Sequence, residues 1–393
     1  MVAGESIYLL PYLRKSFQTS MEVAFALSAT QVGTLNSFFG ILAMLCYFPG
    51  GWLADRFPAR DLLAVSLIST GLAGFTLLGQ PNFGTLLALH AFWGITSILT
   101  FWAALIKATR LWGEENTQGL SFGLLDGGRG AVAALLATAA AGLFAAAGSP
   151  SAGLHRVVWL YALAPLLTGL ALFFLIPRQA FAAKASSSGA ALPQMGALKA
   201  ALRLPAVWKL SLVVFCAYWL YVGSFDFPAF AEKAYGKSKA FGASLGAVRD
   251  WMRPIGAIAA GLLADRFRPS RTMTGAFAML VLSFGFLAAA PASATQMALL
   301  WLPALTAALA VFALRGVYFA AFQEGKVPAA LTGISVGLVS LLGYLPDVFA
   351  HLLSGWFTTT WSGALGYRYY FGLLSGIAAV GGFTAWCLQE SKV

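Results

Sequence analysis

The sequence predicts an all-α polytopic membrane protein, and two observations support this fold class. First, 59% of the 393 residues are hydrophobic and only 10% are charged, with a mean hydropathy of +0.78, whereas a soluble domain carries roughly 25% charged residues. Second, the apolar residues form long continuous runs, where the strands of a membrane β-barrel would alternate over about ten residues. Because such a chain has too little polar surface to face water, we expect it to be dissolved in lipid.

Twelve segments approach the length of a transmembrane helix, which needs about 20 mostly apolar residues. Numbered 1 to 12, they are 4–13, 31–53, 62–80, 84–106, 119–147, 157–176, 207–227, 241–263, 273–291, 295–321, 332–356 and 369–388. Segment 1 is the exception, because only about ten residues precede Arg14, half of a span. Either the start codon lies further upstream or this segment is a short or re-entrant piece. The first alternative is favoured because every later segment is full length.

The segments divide into two groups of six around a polar stretch. Residues 1–177 are predicted to form an N-terminal six-helix bundle and residues 206–393 a C-terminal one. Residues 178–205, rich in Ala, Ser and Gly, have no apolar run long enough to cross and are predicted to be a cytoplasmic linker. Two similar six-helix halves are an internal symmetry found in many secondary transporters.

The basic residues indicate the orientation of the chain. With loops assigned alternately to two sides, fourteen Lys and Arg fall on the side of the linker and seven on the other, Arg14 and Lys15 among them. By the positive-inside rule the linker side, with the C-terminus, is predicted to be cytoplasmic in a bacterial inner membrane. The net charge of +11 is then explained by loops facing anionic lipid rather than by nucleic acid. The three cysteines have no metal-type spacing, so neither metal nor cofactor is expected.

A short motif follows the second segment of each half: PGGWLADRFPAR at Pro49–Arg60 and GLLADRFRPSR at Gly261–Arg271. The paired positions are Gly51 and Gly261, Asp55 and Asp265, Arg56 and Arg266, and Arg60 and Arg271. The glycines would permit close helix approach, the aspartates would face a helix N-terminus of the other half, and the arginines would supply ion pairs. We therefore expect a latch that closes one end of the protein. The alternative, that the basic residues only anchor loops at lipid headgroups, stays open for Arg60, Arg268 and Arg271.

At these residues the chain resembles the major facilitator superfamily. Pro58 stands where the family motif usually has glycine, and His90, four residues before Gly94, stands where the family usually has an arginine. That histidine is either a titratable substitute or a polar packing residue. The resemblance implies twelve helices in two pseudo-symmetric bundles, transport by alternating access, a monomer, and a motif that stabilises the outward-open state. The runs FWAALIKATRLWG, DGGRG and LLGYLPDVF look closest to a branch related to organic-anion and nitrate carriers.

Ionisable residues inside the apolar segments are the main functional signal, because each costs on the order of 2.5 to 3.5 kcal/mol at mid-membrane. Eight lie well inside the predicted helices: Asp126, Arg129, Arg249, Asp250, Arg253, Arg315, Asp347 and His351. Arg129 lies ten residues past Gly119, about 15 Å into its segment, and Arg253 lies at similar depth in the other half. Arginine offers a planar fork of donors that suits an anion. Four arginines against three aspartates leave 4 − 3 = +1, which favours a small anionic solute.

Three arginines and five aromatic residues are therefore predicted to bind the solute. They are Arg129, Arg249, Arg253, Tyr8, Tyr12, Trp102, Tyr221 and Tyr344. The chain has no ATP-binding loop, so transport would use an ion gradient. We expect protons, with Asp126, Asp250, Asp347 and His351 as the coupling groups. In the competing interpretation the charges satisfy one another within helices, as the spacings Asp126/Arg129, Asp250/Arg253 and Asp347/His351 permit.

The sequence therefore predicts a secondary active transporter. An enzyme is not expected, because the sequence has neither a nucleophile elbow nor an HExxH metal site. The expected activity is proton symport of a small organic anion such as a sugar acid or sulfonate. Open alternatives are an exchanger for phosphorylated substrates or nitrate, a multidrug or metabolite exporter, and a receptor that binds without transporting.

Overall fold

A computed structural model describes residues 1–112, 118–177, 195–289, 298–318, 320–325, 327 and 332–389. Within these residues all regular structure is helical. Short helices lie at Met195–Leu202 and Ala321–Glu324, and twelve of the described helices, α1 to α12, follow the order of segments 1 to 12. They are α1 (Val2–Ser6 and Arg14–Ala24), α2 (Ala29–Arg56), α3 (Ala59–Gly74), α4 (Phe83–Ser97 and Ala103–Trp112), α5 (Gln118–Ala145), α6 (Pro150–Leu175), α7 (Pro205–Gly223 and Phe227–Tyr235), α8 (Lys239–Phe267), α9 (Pro269–Ala289), α10 (Ala298–Val317), α11 (Thr332–Gly343 and Pro346–Thr360) and α12 (Ala364–Gln389).

Ten of these described helices are long and apolar enough to cross a membrane. The other two are α1, which is interrupted, and α8, which carries several charges. The predicted all-α membrane fold is thus confirmed. Part of the predicted linker, Met195–Leu202, is a helix of 8 residues, too short to span. Residues 178–194 lie outside the described part of the chain.

The predicted end of the first segment before Arg14 is wrong. Turns at residues 7–13 join a helix at Val2–Ser6 to a second helical piece, Arg14–Ala24. Arg14 is only 2% exposed, because its guanidinium is paired inside the protein. A hydropathy pattern cannot distinguish such a paired charge from a loop charge. With Arg14 and Lys15 removed from the loops, the basic residues divide fourteen to five between the two sides, so the charge asymmetry is stronger.

Breaks in two helices bring polar groups into the interior of the bundle. The two pieces of α7 are joined by a 3-10 turn, Ser224–Asp226, and Pro228 lies in the first turn of the second piece. In α11 the second piece begins at Pro346, whose ring is tolerated in a first helical turn because no N–H is needed there. Irregular backbone at membrane depth is tolerated where it is buried in protein. The breaks therefore place Asp226 and Asp347 in the interior.

The two halves approach closely along α2 and α11 and along α5 and α8. Glycines make the first contact possible: a Cβ at Gly40 would lie 2.7 Å from the carbonyl oxygen of Asp347, and a Cβ at Gly33 would collide with the carbonyl of His351. Small residues allow backbones in a membrane to pack at this distance. In the second contact, Trp251 donates a hydrogen bond to Thr138 Oγ1 at 3.0 Å.

One end of the bundle, called the closed end, bears the connections at residues 25–28, 236–238 and 361–363. Here Lys233 Nζ lies 2.6 Å from Glu22 Oε2, and the hydroxyls of Thr30 and Thr359 are 2.9 Å apart. Thr19 also donates a short hydrogen bond to Glu232. Each of these contacts joins the two halves, so polar side chains as well as glycines hold this end together.

The opposite end, called the motif end, bears the connections at residues 57–58 and 268. Arg56 lies over the ring of Trp52 and Arg266 over that of Phe267, so each contacts its own helix. Arg60 pairs with the adjacent Asp61 at 2.7 Å and also donates to the carbonyl of Ile176 in α6.

The second motif glycine makes no close helix contact in this conformation. A Cβ at Gly261 would meet nothing within 4 Å, because no described helix approaches that face. Arg271 is exposed. The surroundings of Gly51 and the side chains of Asp55 and Asp265 fall outside what the structure describes, so the predicted latch stays a prediction.

Candidate binding cavity between the two halves

A cavity of about 540 Å³ lies between the two halves. Nine of the residues predicted to bind the solute or to couple protons line it: Arg129, Arg253, Asp250, Asp347, Tyr8, Tyr12, Trp102, Tyr221 and Tyr344. Two others, Arg249 and His351, are buried behind the wall, 1% and 0% exposed. The side chain of Asp126 is outside the described residues. A volume of several hundred Å³ suits a small solute.

Arg129 and Arg253 come from opposite halves and share one carboxylate. Glu5 Oε2 lies 3.5 Å from Arg129 Nε and 3.4 Å from Arg253 Nη1. Arg129 also lies within 5.7 Å of the ring centres of Tyr8 and Trp102, where a guanidinium is attracted to the ring faces. The two arginines therefore meet at one carboxylate, Glu5, which sequence reasoning missed.

Gly130 explains how the second arginine reaches this position. A Cβ at this site would lie 3.2 Å from Arg253 Cδ, so the glycine leaves space for the side chain that crosses from α8. The DGGRG run thus provides a smooth helix surface beside Arg129.

Asp250 lies between cations of both halves. Arg249 Nη2 donates to its carboxylate at 2.6 Å and Lys15 Nζ approaches it to 3.5 Å. These contacts replace the intrahelical pair Asp250/Arg253 that the spacing allowed. Arg249 further lies over the ring of Phe225 at 4.8 Å, which holds it behind the cavity wall rather than in it.

A buried polar network runs from the cavity wall into the interior through Asp347. The Tyr12 hydroxyl donates to Asp347 at 2.6 Å, and His351 Nε2 lies 3.3 Å from the same carboxylate, so the Asp347/His351 pair permitted by the spacing is formed. On the far side of the ring, Arg14 Nη1 is 2.7 Å from His351 Nδ1. Because arginine can only donate, Nδ1 accepts and Nε2 carries the proton toward Asp347.

The network continues to a second buried acid. Arg14 Nη2 pairs with Asp226 at 2.8 Å, and Ser354 donates to the other oxygen of Asp226 at 2.7 Å. Arg14 and Asp226 are 2% and 1% exposed. The network therefore links α1 of the first half to α7 and α11 of the second through groups that water does not reach.

Arg315 has surroundings of a different kind, made of tyrosines. Its guanidinium carbon lies 4.2 Å from the ring centre of Tyr221 and 5.7 Å from that of Tyr218. The hydroxyls of Tyr318 and Tyr344, in the same region, are 3.2 Å apart. Arg315 Nη1 is buried and has no hydrogen-bond partner among the described residues. The sequence analysis marked this arginine as buried but gave it no role.

The cavity wall carries a net positive charge. Its cations are Lys15, Arg129, Arg253 and Arg315, and its carboxylates are Glu5, Asp250 and Asp347, which gives 4 − 3 = +1 with the side chains ionised. In a medium of low effective dielectric this charge attracts an anion more strongly than it would in water.

Four functional candidates were missed by sequence reasoning: Glu5, Arg14, Lys15 and Asp226. Asp226 lies inside the predicted segment 207–227, so its charge alone could have marked it. Glu5 could have been marked in the same way. The two basic residues could not, since their position after ten apolar residues is typical of the end of a span.

His90 is a packing residue in this structure. It is 1% exposed, its Nδ1 lies 2.9 Å from the Leu86 carbonyl oxygen, and its ring packs against Trp93 at 5.1 Å. Of the two interpretations left open by the sequence, the structure favours the second.

Comparison with known proteins gives the same family from sequence and from fold. The profile of the Major Facilitator Superfamily matches residues 6–351. The chain is 28% identical over 386 residues to the inner membrane protein YihN of Escherichia coli, covering 97% of this chain and 91% of that protein. It is also 28% identical over 281 residues to a probable nitrate/nitrite antiporter, NarK1, of Thermus thermophilus, covering 67% and 59%.

Two transporters of known structure are similar to this chain in fold. A bacterial homologue of the human lysosomal transporter Spinster, in an inward-facing and unoccupied conformation, has a TM-score of 0.78, 14% identity, and coverage of 99% of this chain and 96% of that one. The nucleoside transporter NupG has a TM-score of 0.71 and 14% identity, with coverage of 100% and 98%. With a profile match over most of its length and this fold, the chain belongs to the major facilitator superfamily, whose members carry small solutes across a membrane and are transporters rather than enzymes.

Proposed function

We propose that this protein is a secondary active transporter of a small organic anion, such as a sugar acid or a sulfonate, in the bacterial inner membrane. The observation that carries the proposal is the cavity between the halves, where four cationic and three acidic side chains leave one positive charge. Buried charges in a membrane are costly, so an excess of cations is a feature that a neutral solute would not need. Family membership supports transport, and the wall chemistry supports an anion.

Alternating access is the proposed mechanism. The described contacts between the halves concentrate at the closed end and along the cavity, while the ring contacts of Arg56 and Arg266 at the motif end lie within their own helices. With the motif end cytoplasmic, as the basic loops predict, this conformation is inward-facing. In the other state the halves would separate at the closed end, and the paired motifs would hold the two halves together at the motif end.

Glu5 gives the cavity an internal counter-ion. It neutralises part of the charge of Arg129, at 3.5 Å in the same half, and of Arg253, at 3.4 Å in the other half, and so joins the two halves. An anion that enters the cavity competes with this carboxylate for the same two cations. Binding of the solute would thereby weaken a contact between the halves, which is a direct way to lower the barrier to rocking.

Proton coupling is proposed to occur at Asp347, which both lines the cavity and belongs to the buried network. Protonation would remove the negative charge that accepts from Tyr12 and faces His351, and so loosen α1 from α11. Asp250, His351 and Asp126 stay secondary candidates, the last on its sequence position alone. The proposed unit is a monomer in lipid, with no nucleic acid or cofactor.

An anion exchanger is the second candidate, and the similarity to a probable nitrate/nitrite antiporter favours it. An exchanger would need no proton and would run only with a counter-anion on the other side. A multidrug exporter is less well supported, because its cavity would be expected to lack the arginine excess.

A flux assay in proteoliposomes tests the proposal. Uptake of labelled glucuronate, methanesulfonate, a sugar phosphate, nitrate and glucose would be compared with and without an imposed pH gradient. Anion uptake that rises with the gradient supports symport, and uptake that requires a trans anion supports exchange. Uptake or binding of glucose or an organic cation, with none of any anion, would overturn the anion proposal.

A further inference from the structure

We propose that Arg315, enclosed by tyrosines, is the residue that binds the acidic group of the solute, and that the solute is a monocarboxylate carried on a ring. This inference rests on the proposed function and makes it more specific. It moves the main anion contact from the predicted pair Arg129 and Arg253 to an arginine of α10.

The first step is a comparison of counter-ions. Arg14 has Asp226, Arg249 has Asp250, and Arg129 and Arg253 share Glu5. Among the cavity arginines, Arg315 alone makes no ion pair with a described carboxylate. A buried donor without an acceptor lowers stability, most of all when it is charged, and Arg315 Nη1 is such a donor within the described structure. Arg315 is thus the cavity arginine that an anion could pair with without displacing a described carboxylate.

Second, the tyrosines hold the Arg315 cation through the faces of their rings. The guanidinium carbon of Arg315 lies 4.2 Å from the ring centre of Tyr221. The face of the ring stabilises the positive charge. Contacts through the faces leave the N–H groups, which lie in the guanidinium plane, without acceptors. A planar carboxylate suits that edge because it can accept two parallel hydrogen bonds.

The third step concerns the body of the ligand. Tyr218, Tyr221 and Tyr344 line the cavity beside Arg315, and the rings of Tyr218 and Tyr344 lie 4.8 Å apart. Aromatic faces pack against a flat or sugar ring, and phenolic hydroxyls can bond its substituents. A cavity of about 540 Å³ has room for a single flat or sugar ring. Because each of the other cavity arginines already pairs with a carboxylate of the protein, the ligand needs only one acidic group, which pairs with Arg315.

Binding to the purified full-length protein tests the inference, with glucuronate and benzoate as probes that separate a sugar ring from an aromatic one. Loss of one charge-assisted interaction, worth about 1.5 to 3 kcal/mol, weakens binding by roughly 10- to 150-fold. We expect that loss in Arg315→Gln, and a smaller one in Arg315→Lys, which keeps the charge without the fork. Arg129→Gln should weaken binding less than Arg315→Gln, since Arg129 shares Glu5. Arg156→Gln, an exposed position with the same charge change, should bind as the wild type does.

The outcomes separate this inference from the proposed function. If the wild type binds or transports an anion and Arg315→Gln does so equally well, the inference is overturned and the proposed function stands. If the wild type binds none of the anions in the flux panel, the proposed function fails as well.

A second measurement needs no substitution. In the wild type, modification of Arg315 by phenylglyoxal, mapped by peptide mass spectrometry, should be slowed by the probe that binds, while modification of Arg156 is unchanged. Equal labelling of Arg315 with and without a bound probe would overturn the inference even if the variants did not fold.

Discussion

The closed end and the motif end of the molecule are held by different kinds of contact. At the closed end and behind the cavity, the halves are joined by Arg14 and Asp226, by Lys233 and Glu22, and by backbone contacts at Gly40. At the motif end, Arg56 lies over a ring of its own helix and Gly261 has open space beside it. The contacts that stabilise this conformation therefore lie at the closed end and behind the cavity. The described residues of the motif end do not contribute to them.

The buried pair behind the cavity should give the largest effect. Asp226→Asn leaves Arg14 as a charge with no acid in a site 2% exposed, and breaking such a pair costs about 3 to 5 kcal/mol. We expect a marked fall in the thermal unfolding temperature of the detergent-solubilised protein. The double variant Arg14→Gln/Asp226→Asn should recover part of the loss, because no lone charge remains. An unfolding temperature equal to that of the wild type would mean that the network does not join the halves.

Two glycines provide a matched pair, Gly40 at the contact between the halves beside the cavity and Gly261 at the motif end. Gly40→Ala puts a methyl group 2.7 Å from a backbone oxygen of the other half, and overpacking of this kind costs about 1 to 3 kcal/mol. Gly261→Ala meets nothing within 4 Å and should be neutral or stabilising by up to about 1 kcal/mol, as helix propensity favours alanine. Thermal unfolding measures both. Equal effects from the two substitutions would remove the distinction between the contact beside the cavity and the motif end.

The ion pair at the rim of the closed end should contribute less. Lys233 is 33% exposed, and exposed pairs contribute about 0.2 to 1 kcal/mol. Lys233→Gln should therefore lower the unfolding temperature slightly, and the difference from the wild type should shrink at about 1 M salt, where charges are screened. A large loss that salt does not reduce would indicate that this pair is more important than its exposure suggests.

The motif end should show the smallest effect on stability and a clear one on function. Arg56 contacts Trp52 of its own helix, so Arg56→Gln should change the free energy of unfolding by no more than about 0.5 kcal/mol. The same variant should slow transport, since the state that the motif is proposed to stabilise becomes less accessible. Unfolding temperature and initial uptake rate, measured on one preparation, separate the two roles. A loss of stability with normal uptake would mean that Arg56 stabilises this conformation and has no role in transport.

Much of the fold could be predicted because hydropathy alone marks spans in a membrane protein. The prediction failed at Arg14, whose burial depends on Asp226 and His351, 212 and 337 residues away in sequence. No local pattern carries that information. The charge of Glu5 within segment 1 could have marked this residue, but its partners come from α5 and α8 and follow only from the tertiary structure.

The cavity could be predicted in part from depth within each segment. Counting residues brought Arg129 and Arg253 to a common level, and both line the cavity. Arg249 was expected beside Arg253, but a step of four residues turns a helix by about 40° beyond a full circle. Together with the contacts to Asp250 and Phe225, that rotation leaves Arg249 behind the wall. The tyrosines around Arg315 come from α7, α11 and the residue that follows α10, so their convergence follows only from the tertiary structure.

The most direct test of alternating access is a reversible crosslink across the closed end. In a protein whose three cysteines, Cys46, Cys216 and Cys387, are replaced by serine, Thr30→Cys and Thr359→Cys would form a disulfide, because the two hydroxyls are 2.9 Å apart. Anion binding and transport would then be measured on the same preparation, oxidised and reduced. We expect the oxidised protein still to bind the anion but not to transport it, and we expect a reductant to restore transport. Full transport by the crosslinked protein would contradict alternating access through separation of the halves at the closed end.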